Sequence, residues 1–319
     1  MHRDLAIIIP VYNDAEGLAS VLESIYLSIN CINFENDTVE VIIIDDGSNV
    51  SYEKTINEFQ GHLNINYFKQ KNGRQGKARN FGLSKAAADY IWFVDADDEV
   101  AITSIDIILK DINKYNNTDL FYYNACCYGL IQKSASPNWN NVQIASAIAE
   151  NKVVVAPWAR IYSRKYLEDI NLTYPEYLKY EDLYHSFIST LKCRSHRVLK
   201  DCIYKYNYTE GSTTKTHDGS VIDIFNVIEM IESDAEILTK VDKYLLNNLI
   251  YVHGVKYTLI RLYQSRSFGL TIKTLINPVF SSYLKKVRIF NPSVKRRTFA
   301  KTLEVVCFMV KFLISNKVK

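Results

Sequence analysis

The chain has 319 residues, of which 48% are hydrophobic and 23% are charged, as is ordinary for a globular protein with a sizeable core. Its six cysteines show no C-x-x-C pair, and no leader precedes the first predicted strand, so we expect a reducing cytoplasm rather than a secreted disulfide framework. The net charge of +3 is unevenly distributed, because residues 254–319 contain 14 Lys or Arg and one acid, whereas the preceding residues contain 24 bases and 34 acids. The C-terminal part therefore suits an anionic partner, either nucleic acid or a membrane surface.

The first hundred residues alternate between short apolar runs and helical patterns. The runs are too short for helices and too apolar for half-exposed strands, so they predict buried strands of a parallel sheet. The predicted strands are residues 5–10, 39–44, 65–69 and a fourth that ends at Asp95, and the predicted helices are residues 14–29 and 75–88. Asn13 or Asp14 is expected to cap the first helix. This alternation predicts a doubly wound α/β fold.

The alternation continues once more and then loosens. We expect a helix at residues 104–115, a strand at 120–124, loops at 137–141 and 157–162, a helix at 183–191 and an exposed strand at 203–208. Beyond about residue 220 only helical patterns remain, and they break at Asn277-Pro278 and Asn291-Pro292. The sequence therefore predicts an α/β domain at residues 1–220, with halves at 1–100 and 101–220, and a basic, aromatic helical region at 221–319.

The segment IWFVDADDE, residues 91–99, joins a buried strand to a cluster of acids. The apolar run ends abruptly at Asp95, Asp97 and Asp98, so these carboxylates are expected at the C-terminal edge of the sheet, where open α/β sheets bind ligands. Placing like charges together costs free energy unless a cation binds, and one or two carboxylates with substrate phosphates commonly hold Mg²⁺ or Mn²⁺. A solvated acidic turn is the alternative for an isolated Asp-x-Asp motif.

Four segments end a strand or open a helix, and they meet in one crevice if their strands are parallel: residues 10–13, 45–48, 72–82 and 95–98. Together they offer an aromatic ring, a carboxylate, a cationic helix and an acidic metal clamp, the groups that a nucleoside diphosphate requires. Tyr12 can stack on a base and Asp46 can accept a hydrogen bond from a base N–H. Arg79 can pair with a phosphate, and Asp97 can hold the metal.

Taken together, these residues resemble the family 2 glycosyltransferases, whose nucleotide-binding half has the GT-A fold. Three further segments extend the resemblance over roughly residues 4–215: PWARIY at 157–162 is similar to P-W-x-K-L-Y, YEDLY at 180–184 to E-D-x-x-F, and residues 204–214 to Y-x-Y…G-S-T. Arg160 stands where Lys is commoner and Tyr184 where Phe is usual, and neither departure removes a needed charge. The resemblance implies a Rossmann-like, mostly parallel GT-A sheet followed by a C-terminal α-helical extension.

The resemblance also implies a reaction and a set of roles. It indicates a metal-dependent inverting transfer from a nucleotide-sugar, expected to be a UDP-sugar, to a hydroxyl of a polysaccharide or lipid-linked oligosaccharide. Asp182 would be the catalytic base, and Glu181 beside it would raise its pKa or bind sugar hydroxyls. The other implied roles are nucleotide binding by Pro10, Tyr12, Asn13, Asp46, Arg79 and Asp95, donor or acceptor sugar binding by Asp98, Trp158 and Glu181, and Mn²⁺ or Mg²⁺ binding by Asp97, Asp95 and His217. A solvated loop histidine is the alternative for His217.

Other enzyme classes fit the motifs less well. A dehydrogenase is excluded because no G-x-G-x-x-G follows the first predicted strand. A phosphatase with an aspartyl nucleophile would carry its Asp-x-Asp after the first strand, and a nucleotidyltransferase would not explain Glu181-Asp182. The alternative from a different class is a catalytically inactive nucleotide-sugar-binding subunit or scaffold.

The C-terminal region is predicted to contact a membrane. Residues 303–314 are apolar but number only about twelve, short of the roughly 20 that span a bilayer. With the surrounding cations they suit a helix that lies in the interface of an anionic membrane, and a helix packed on the catalytic domain is an equal alternative. Nucleic acid is the weaker partner because aromatic residues separate the cations. We therefore expect a cytoplasmic protein at the inner face of the cell membrane.

Overall fold

The computed structural model describes residues 4–31, 38–127, 130–207 and 219–317, with side chains described up to residue 312. The chain divides into two compact units. The first comprises Met1–Asn141, Val153–Tyr177 and Glu181–Glu210, and the second comprises Val142–Lys152, Leu178–Tyr180 and Gly211–Lys319. Two short segments that precede residue 220 thus belong to the second unit.

A mixed sheet, with nine strands in the described residues, organises the first unit. The strands are β1 (Leu5–Val11), β2 (Val39–Asp45), β3 (Ile65–Lys69), β4 (Tyr90–Phe93), β5 (Glu99–Val100), β6 (Leu120–Cys127), β7 (Leu130–Gln132), β8 (Arg160–Ser163) and β9 (His196–Tyr206). Their spatial order is β3-β2-β1-β4-β8-β6-β9-β5, with β7 paired to β6. The pairs β1–β2, β1–β4, β2–β3 and β6–β9 are parallel, whereas β8 runs antiparallel to both β4 and β6.

The helices of both units follow in chain order. They are α1 (Ala15–Asn30), α2 (Glu53–Phe59), α3 (Arg74–Lys85), α4 (Ser104–Lys114), α5 (Asn141–Ala149), α6 (Arg164–Asp169), α7 (Glu181–Lys192), α8 (Asp223–Ser233), α9 (Ala235–Lys240), α10 (Lys243–Leu249), α11 (Tyr257–Ser265), α12 (Phe268–Leu275), α13 (Pro278–Phe290) and α14 (Val294–Lys317). A π-helical segment, Ile250–Lys256, leads from α10 into α11.

The predicted parallel half of the sheet is confirmed. Every residue of β1 and β2 is buried, which explains why both strands are apolar on both faces. The helix after β1 is capped as expected, because Asp14 Oδ1 accepts a hydrogen bond from the Gly17 N–H at 2.8 Å. The carboxyl ends of β1, β2 and β4 therefore lie along one edge of the sheet.

Two glycines allow α3 to pack closely against the sheet and against the segment at Pro175. A Cβ on Gly82 would lie 2.4 Å from Ile8 Cγ2, and a Cβ on Gly76 would lie 2.4 Å from the carbonyl oxygen of Pro175. Only residues without a side chain fit at these two positions. The face of α3 that carries Arg79 is consequently pressed against the sheet, and Arg79 is fully buried.

The prediction of a loop at residues 157–162 is wrong. A 3₁₀ turn at Pro157–Ala159 leads directly into β8, which fills the centre of the sheet between β4 and β6. The proline and the isolated cation at Arg160 concealed this strand. Arg160 is fully buried, and its guanidinium donates to the carbonyls of Ala156 and Val154 at 2.7 and 2.8 Å, so the charge is accommodated by backbone oxygens.

The second unit is helical. Phe225 and Tyr283 pack edge to face in its interior, and the Tyr283 hydroxyl donates to the Phe225 carbonyl at 3.1 Å. His253, in the π-helical segment, is buried against the Ile148 carbonyl of α5. In the described part of the chain, no helix combines the length and apolarity needed to cross a membrane. Over the described residues 219–317 the chain is helical, as the sequence predicts for its C-terminal part.

Candidate active site

Hydrogen bonds join the loops that follow β1 and β2. The Asp46 N–H donates to the Val11 carbonyl at 2.9 Å, and the Asn13 N–H donates to Ser48 Oγ at 2.9 Å. Asn13 has a φ of 52°, in the left-handed region that asparagine tolerates better than most residues. The adjacent ring of Tyr12 is 52% exposed. This edge of the sheet thus presents an open aromatic face beside a tightly held loop.

Pro10 and Asp46 support this edge from within. Pro10 is buried in β1 opposite Ile44 of β2. Asp46 is also buried, and its Oδ1 atom accepts hydrogen bonds from Gln70 Nε2 at 2.7 Å and from the Gly73 N–H at 2.9 Å. Burial raises the pKa of Asp46. Asp46 therefore anchors the loop that precedes α3, and its contact with a base stays a prediction.

The three acids after β4 differ in their exposure to solvent. Asp95 and Asp97 are partly exposed, whereas Asp98 is buried. Asp98 accepts a hydrogen bond from the Tyr204 hydroxyl at 2.7 Å and another from the Asn207 N–H at 2.8 Å. Burial, with the charge of Asp95, raises the pKa of Asp98 to about 8. Asp95 and Asp97 thus share the accessible side, and Asp98 ties the turn to β9.

Trp158 is packed in the core, and its predicted contact with a sugar stays a prediction. Its ring lies parallel to that of Tyr204, with 4.6 Å between the ring centres, and its carbonyl accepts from Trp92 Nε1 at 2.9 Å. Only 5% of Trp158 is exposed. The aromatic ring that the motif supplies therefore stacks on a protein tyrosine, which leaves little surface for a sugar.

Arg79 joins three carboxylates. Its Nη2 atom lies 2.8 Å from Asp95 Oδ1, and its Nη1 atom lies 2.9 Å from both Glu181 Oε1 and Asp182 Oδ1. The guanidinium is fully buried, and nearby carboxylates raise the pKa of Arg79 against the effect of burial. The packing gives no support to the predicted contact between Arg79 and a phosphate, because its charge already faces three acids. The structure places Arg79 between the sheet edge and α7.

Glu181 and Asp182 begin α7 and differ in accessibility. Glu181 is buried, whereas the Asp182 side chain is 28% exposed. Burial raises the pKa of Asp182, the Arg79 guanidinium lowers it, and the charges of Glu181 and Asp95 raise it again. Burial likewise raises the pKa of Glu181. Asp182 is therefore an accessible carboxylate with an increased affinity for protons, as a general base near neutral pH requires.

Two tyrosines that the sequence did not single out shape this centre. The Tyr204 hydroxyl accepts from the Asp95 N–H at 3.1 Å while it donates to Asp98, so one residue of β9 orders both acids. The ring of Tyr174 lies 5.2 Å from the Arg79 guanidinium and stacks on His185 at 3.8 Å. The alternating pattern of the predicted strand at residues 203–208 could have pointed to Tyr204, whereas Tyr174 lies in a loop whose sequence shows no such pattern.

The predicted metal ligands are only partly within the described residues. His217 lies outside them. In the ranges that the structure describes, no group of three or more His, Cys, Asp or Glu side chains could hold an ion by itself. Asp95 and Asp97, both partly exposed, provide the one or two carboxylates that a Mg²⁺ or Mn²⁺ ion shared with substrate phosphates requires. This donor set fits a metal that binds together with a diphosphate.

Comparisons with known sequences place the chain among glycosyltransferases. Residues 6–171, just over half of the chain, match the family described as "Glycosyl transferase family 2". "Glycosyltransferase GlyA" of Streptococcus pneumoniae is 23% identical over 230 residues, covering 66% of this chain and 31% of the relative. "Poly(ribitol-phosphate) beta-N-acetylglucosaminyltransferase TarP" of Staphylococcus aureus is 29% identical over 120 residues, covering 37% and 35%. The alignments span 12% to 31% of the first four curated relatives.

Solved structures support the same fold. The crystal structure of S. aureus TarS 1–349 in complex with UDP-GlcNAc has a TM-score of 0.75, with 18% identity, and the match covers 98% of this chain and 92% of that one. This likeness shows that the chain has the GT-A fold with its helical C-terminal region. Because the family match covers more than half of the chain, this protein belongs to glycosyl transferase family 2.

Proposed function

We propose that this glycosyltransferase moves a sugar from a UDP-sugar, with inversion, to a hydroxyl of a surface polysaccharide or a lipid-linked oligosaccharide. The observation that carries the proposal is the position of the Arg79 guanidinium. Its terminal nitrogens lie within 3 Å of Asp95 at the sheet edge and of Asp182 on α7. A carboxylate of the donor edge and an accessible proton acceptor are therefore neighbours, as a direct displacement needs.

In the proposed reaction, Asp182 accepts the proton of the acceptor hydroxyl while that oxygen attacks C1 of the donor sugar. The new bond forms on the face opposite the bond from C1 to the diphosphate, which breaks and releases UDP with inversion at C1. The raised pKa of Asp182 makes it a stronger base than an ordinary aspartate. Arg79 acts as a positioning residue, because it orients the Asp182 carboxylate without contacting the substrate.

The nucleotide would lie at the open edge beside Tyr12 and Asp46. An exposed ring at Tyr12 suits stacking on a base, and the carboxylate at Asp46 suits a uracil N–H. The TarS structure with UDP-GlcNAc supports a UDP-sugar, whereas the mannosyltransferase PcManGT from Pyrobaculum calidifontis, a complex with GDP-Man and Mn²⁺, matches at a TM-score of 0.57 and 14% identity. A test of the donor therefore has to include both UDP- and GDP-sugars.

Asp97 and Asp95 would hold a Mn²⁺ or Mg²⁺ ion. When bound there, the ion would neutralise charge on the leaving diphosphate. His217, which lies outside the described residues, is included in this proposal as a third ligand. Binding of the donor in the presence and absence of EDTA tests the requirement independently of turnover.

A membrane-facing position fits the second unit. On α14, Val305, Phe308, Met309 and Phe312 are exposed and recur at helical spacing along one stripe. Lys301 lies one turn before the stripe, and residues 254–319 carry a large excess of positive charge. We propose that this stripe lies against anionic lipid at the cytoplasmic face of a membrane.

The experiment that tests the proposed function is a donor and acceptor panel with purified protein. Calorimetry against UDP-, GDP- and dTDP-sugars with Mn²⁺ identifies the donor, and release of free nucleotide with each candidate acceptor measures transfer. We expect tight binding of a UDP-sugar and acceptor-dependent release of UDP. Binding without release in the presence of any polysaccharide or lipid-linked acceptor would instead favour a nucleotide-sugar-binding subunit.

A further inference from the structure

Arg261 is a partly buried cation, and no acid among the described residues of the second unit forms an ion pair with it. The residue lies on α11, where its guanidinium carbon is 4.1 Å from the centre of the Tyr180 ring and 5.7 Å from that of Tyr257. Among the residues that the structure describes, its Nη1 atom has no hydrogen-bond partner. The residue as a whole is partly exposed, so part of its side chain is open to an external group.

The energetic setting of Arg261 differs from that of the other buried arginines. Arg79 contacts three carboxylates, and Arg160 donates to two backbone carbonyls. Burial lowers the pKa of Arg261, and the groups that oppose this effect are the rings of Tyr180 and Tyr257 rather than an acid. A buried guanidinium without a counter-charge costs free energy, which an incoming anion would recover.

The residues around Arg261 are held in place. Tyr180 has a φ of 68°, a left-handed conformation that is uncommon for a bulky residue and that presents its ring to the guanidinium. The Tyr257 hydroxyl accepts a hydrogen bond from Asn151 Nδ2 at 2.7 Å. Lys256, which is exposed, lies with its ammonium group 5.3 Å from the centre of the Tyr257 ring and supplies a second cation. These four residues all belong to the second unit.

We propose that Arg261, with Tyr180 and Lys256, binds a phosphate group of the acceptor. The planar fork of a guanidinium matches two phosphate oxygens, and stacking on Tyr180 holds that fork in one orientation. Tyr180 directly precedes Glu181 and Asp182 in the chain. That the bound phosphate belongs to the acceptor rests on the proposed function, whereas the anion site itself does not.

Calorimetric titration with inorganic phosphate tests the site directly. We expect the wild-type protein to bind phosphate, Arg261→Gln to bind at least about tenfold more weakly, and Arg261→Lys to retain part of the affinity. Lys285→Gln is the matched control, because Lys285 is exposed on α13 and its replacement removes the same charge. Unfolding temperatures are compared for every variant. Lys256→Gln, expected to weaken binding severalfold, serves if Arg261→Gln does not fold.

Two further arms identify the source of the phosphate and separate this inference from the proposed function. If Arg261→Gln loses affinity for a soluble ribitol-phosphate oligomer, the phosphate ligand belongs to a phosphodiester polymer. If the variant loses affinity for vesicles that contain undecaprenyl diphosphate, the phosphate ligand belongs to a lipid diphosphate. Equal affinity of wild type and Arg261→Gln for inorganic phosphate and for both larger probes overturns the site. If phosphate binding depends on Arg261 but no acceptor supports UDP release, the site stands and the proposed function fails.

Discussion

Arg79 Nη1 donates a hydrogen bond to Asp182 Oδ1 across 2.9 Å, although the two residues lie 103 positions apart in the chain. The same nitrogen contacts Glu181, and the other terminal nitrogen contacts Asp95. One guanidinium therefore joins α3, the acidic turn after β4 and the beginning of α7. We infer that these contacts set the distance between the donor edge and the proposed base.

Replacing Arg79 by methionine is expected to destabilise the fold. The substitution leaves three carboxylates together without their cation, and removal of one partner of a buried ion pair costs roughly 3–5 kcal/mol. Urea unfolding at neutral pH measures the loss. Lys71→Met, at an exposed position three residues before the same helix, is the control and should change the free energy of unfolding by less than about 0.5 kcal/mol. Equal stability of the two variants would argue against the network.

The pH dependence of turnover should report the raised pKa of Asp182. Only the deprotonated carboxylate can accept a proton, so kcat/KM is expected to increase with pH and to reach its midpoint above the usual aspartate range. Below that midpoint Asp182 is protonated and the rate falls. Rates between about pH 5 and 9 with saturating metal give the profile. A midpoint near that of an ordinary aspartate would contradict the assigned environment.

The sequence predicted the parallel half of the fold because local patterns are sufficient there. β1 and β2 are buried on both faces, so they are continuous apolar runs, and the acids that follow β2 and β4 lie at their carboxyl ends. Neighbouring parallel strands place such residues at the same edge, whatever the loops between them do. The parallel arrangement of the strands was therefore enough to predict that Asp46 and Asp95 lie at the same edge of the sheet.

The later half was harder to predict because its contacts are long-range. β8 is short, follows a proline and contains Arg160, and only the backbone carbonyls of residues 154 and 156 make that cation acceptable in a central strand. The pairing of Trp158 with Tyr204 joins segments 46 residues apart and has no local signature. No local pattern indicated the contacts of Arg79 either, since its carboxylate partners Glu181 and Asp182 come 102 and 103 positions later.

Trp158→Ala separates a core role from a sugar-binding role. Because the ring stacks on Tyr204 and is almost fully buried, its removal should lower the free energy of unfolding by roughly 3–5 kcal/mol. Trp158→Phe, which keeps an aromatic ring, should cost less. Thermal and urea unfolding of both variants measure the difference. A stable Trp158→Ala protein with a strongly increased KM for donor or acceptor would instead support the sugar-binding prediction.

The exposed stripe of α14 should govern attachment to membranes. Phe308→Ser removes a side chain that is 70% exposed, and we expect the fraction of protein that floats with anionic vesicles to fall about tenfold. Tyr263→Ser is the matched control, because Tyr263 is an exposed aromatic residue on α11. A wild-type protein that does not float, or a variant that floats equally well, would refute a membrane role for this stripe.

The rate of sugar transfer by Asp182→Asn measures the central claim most directly. Asparagine keeps the size of the side chain and can still accept from Arg79, so donor binding by calorimetry should change little. Single-turnover transfer should nevertheless fall at least about a hundredfold, because an amide cannot take the acceptor proton. Asp201→Asn, an exposed aspartate on β9, should transfer sugar at the wild-type rate. Transfer by Asp182→Asn at the rate of the Asp201→Asn control would contradict the assignment of Asp182 as the base.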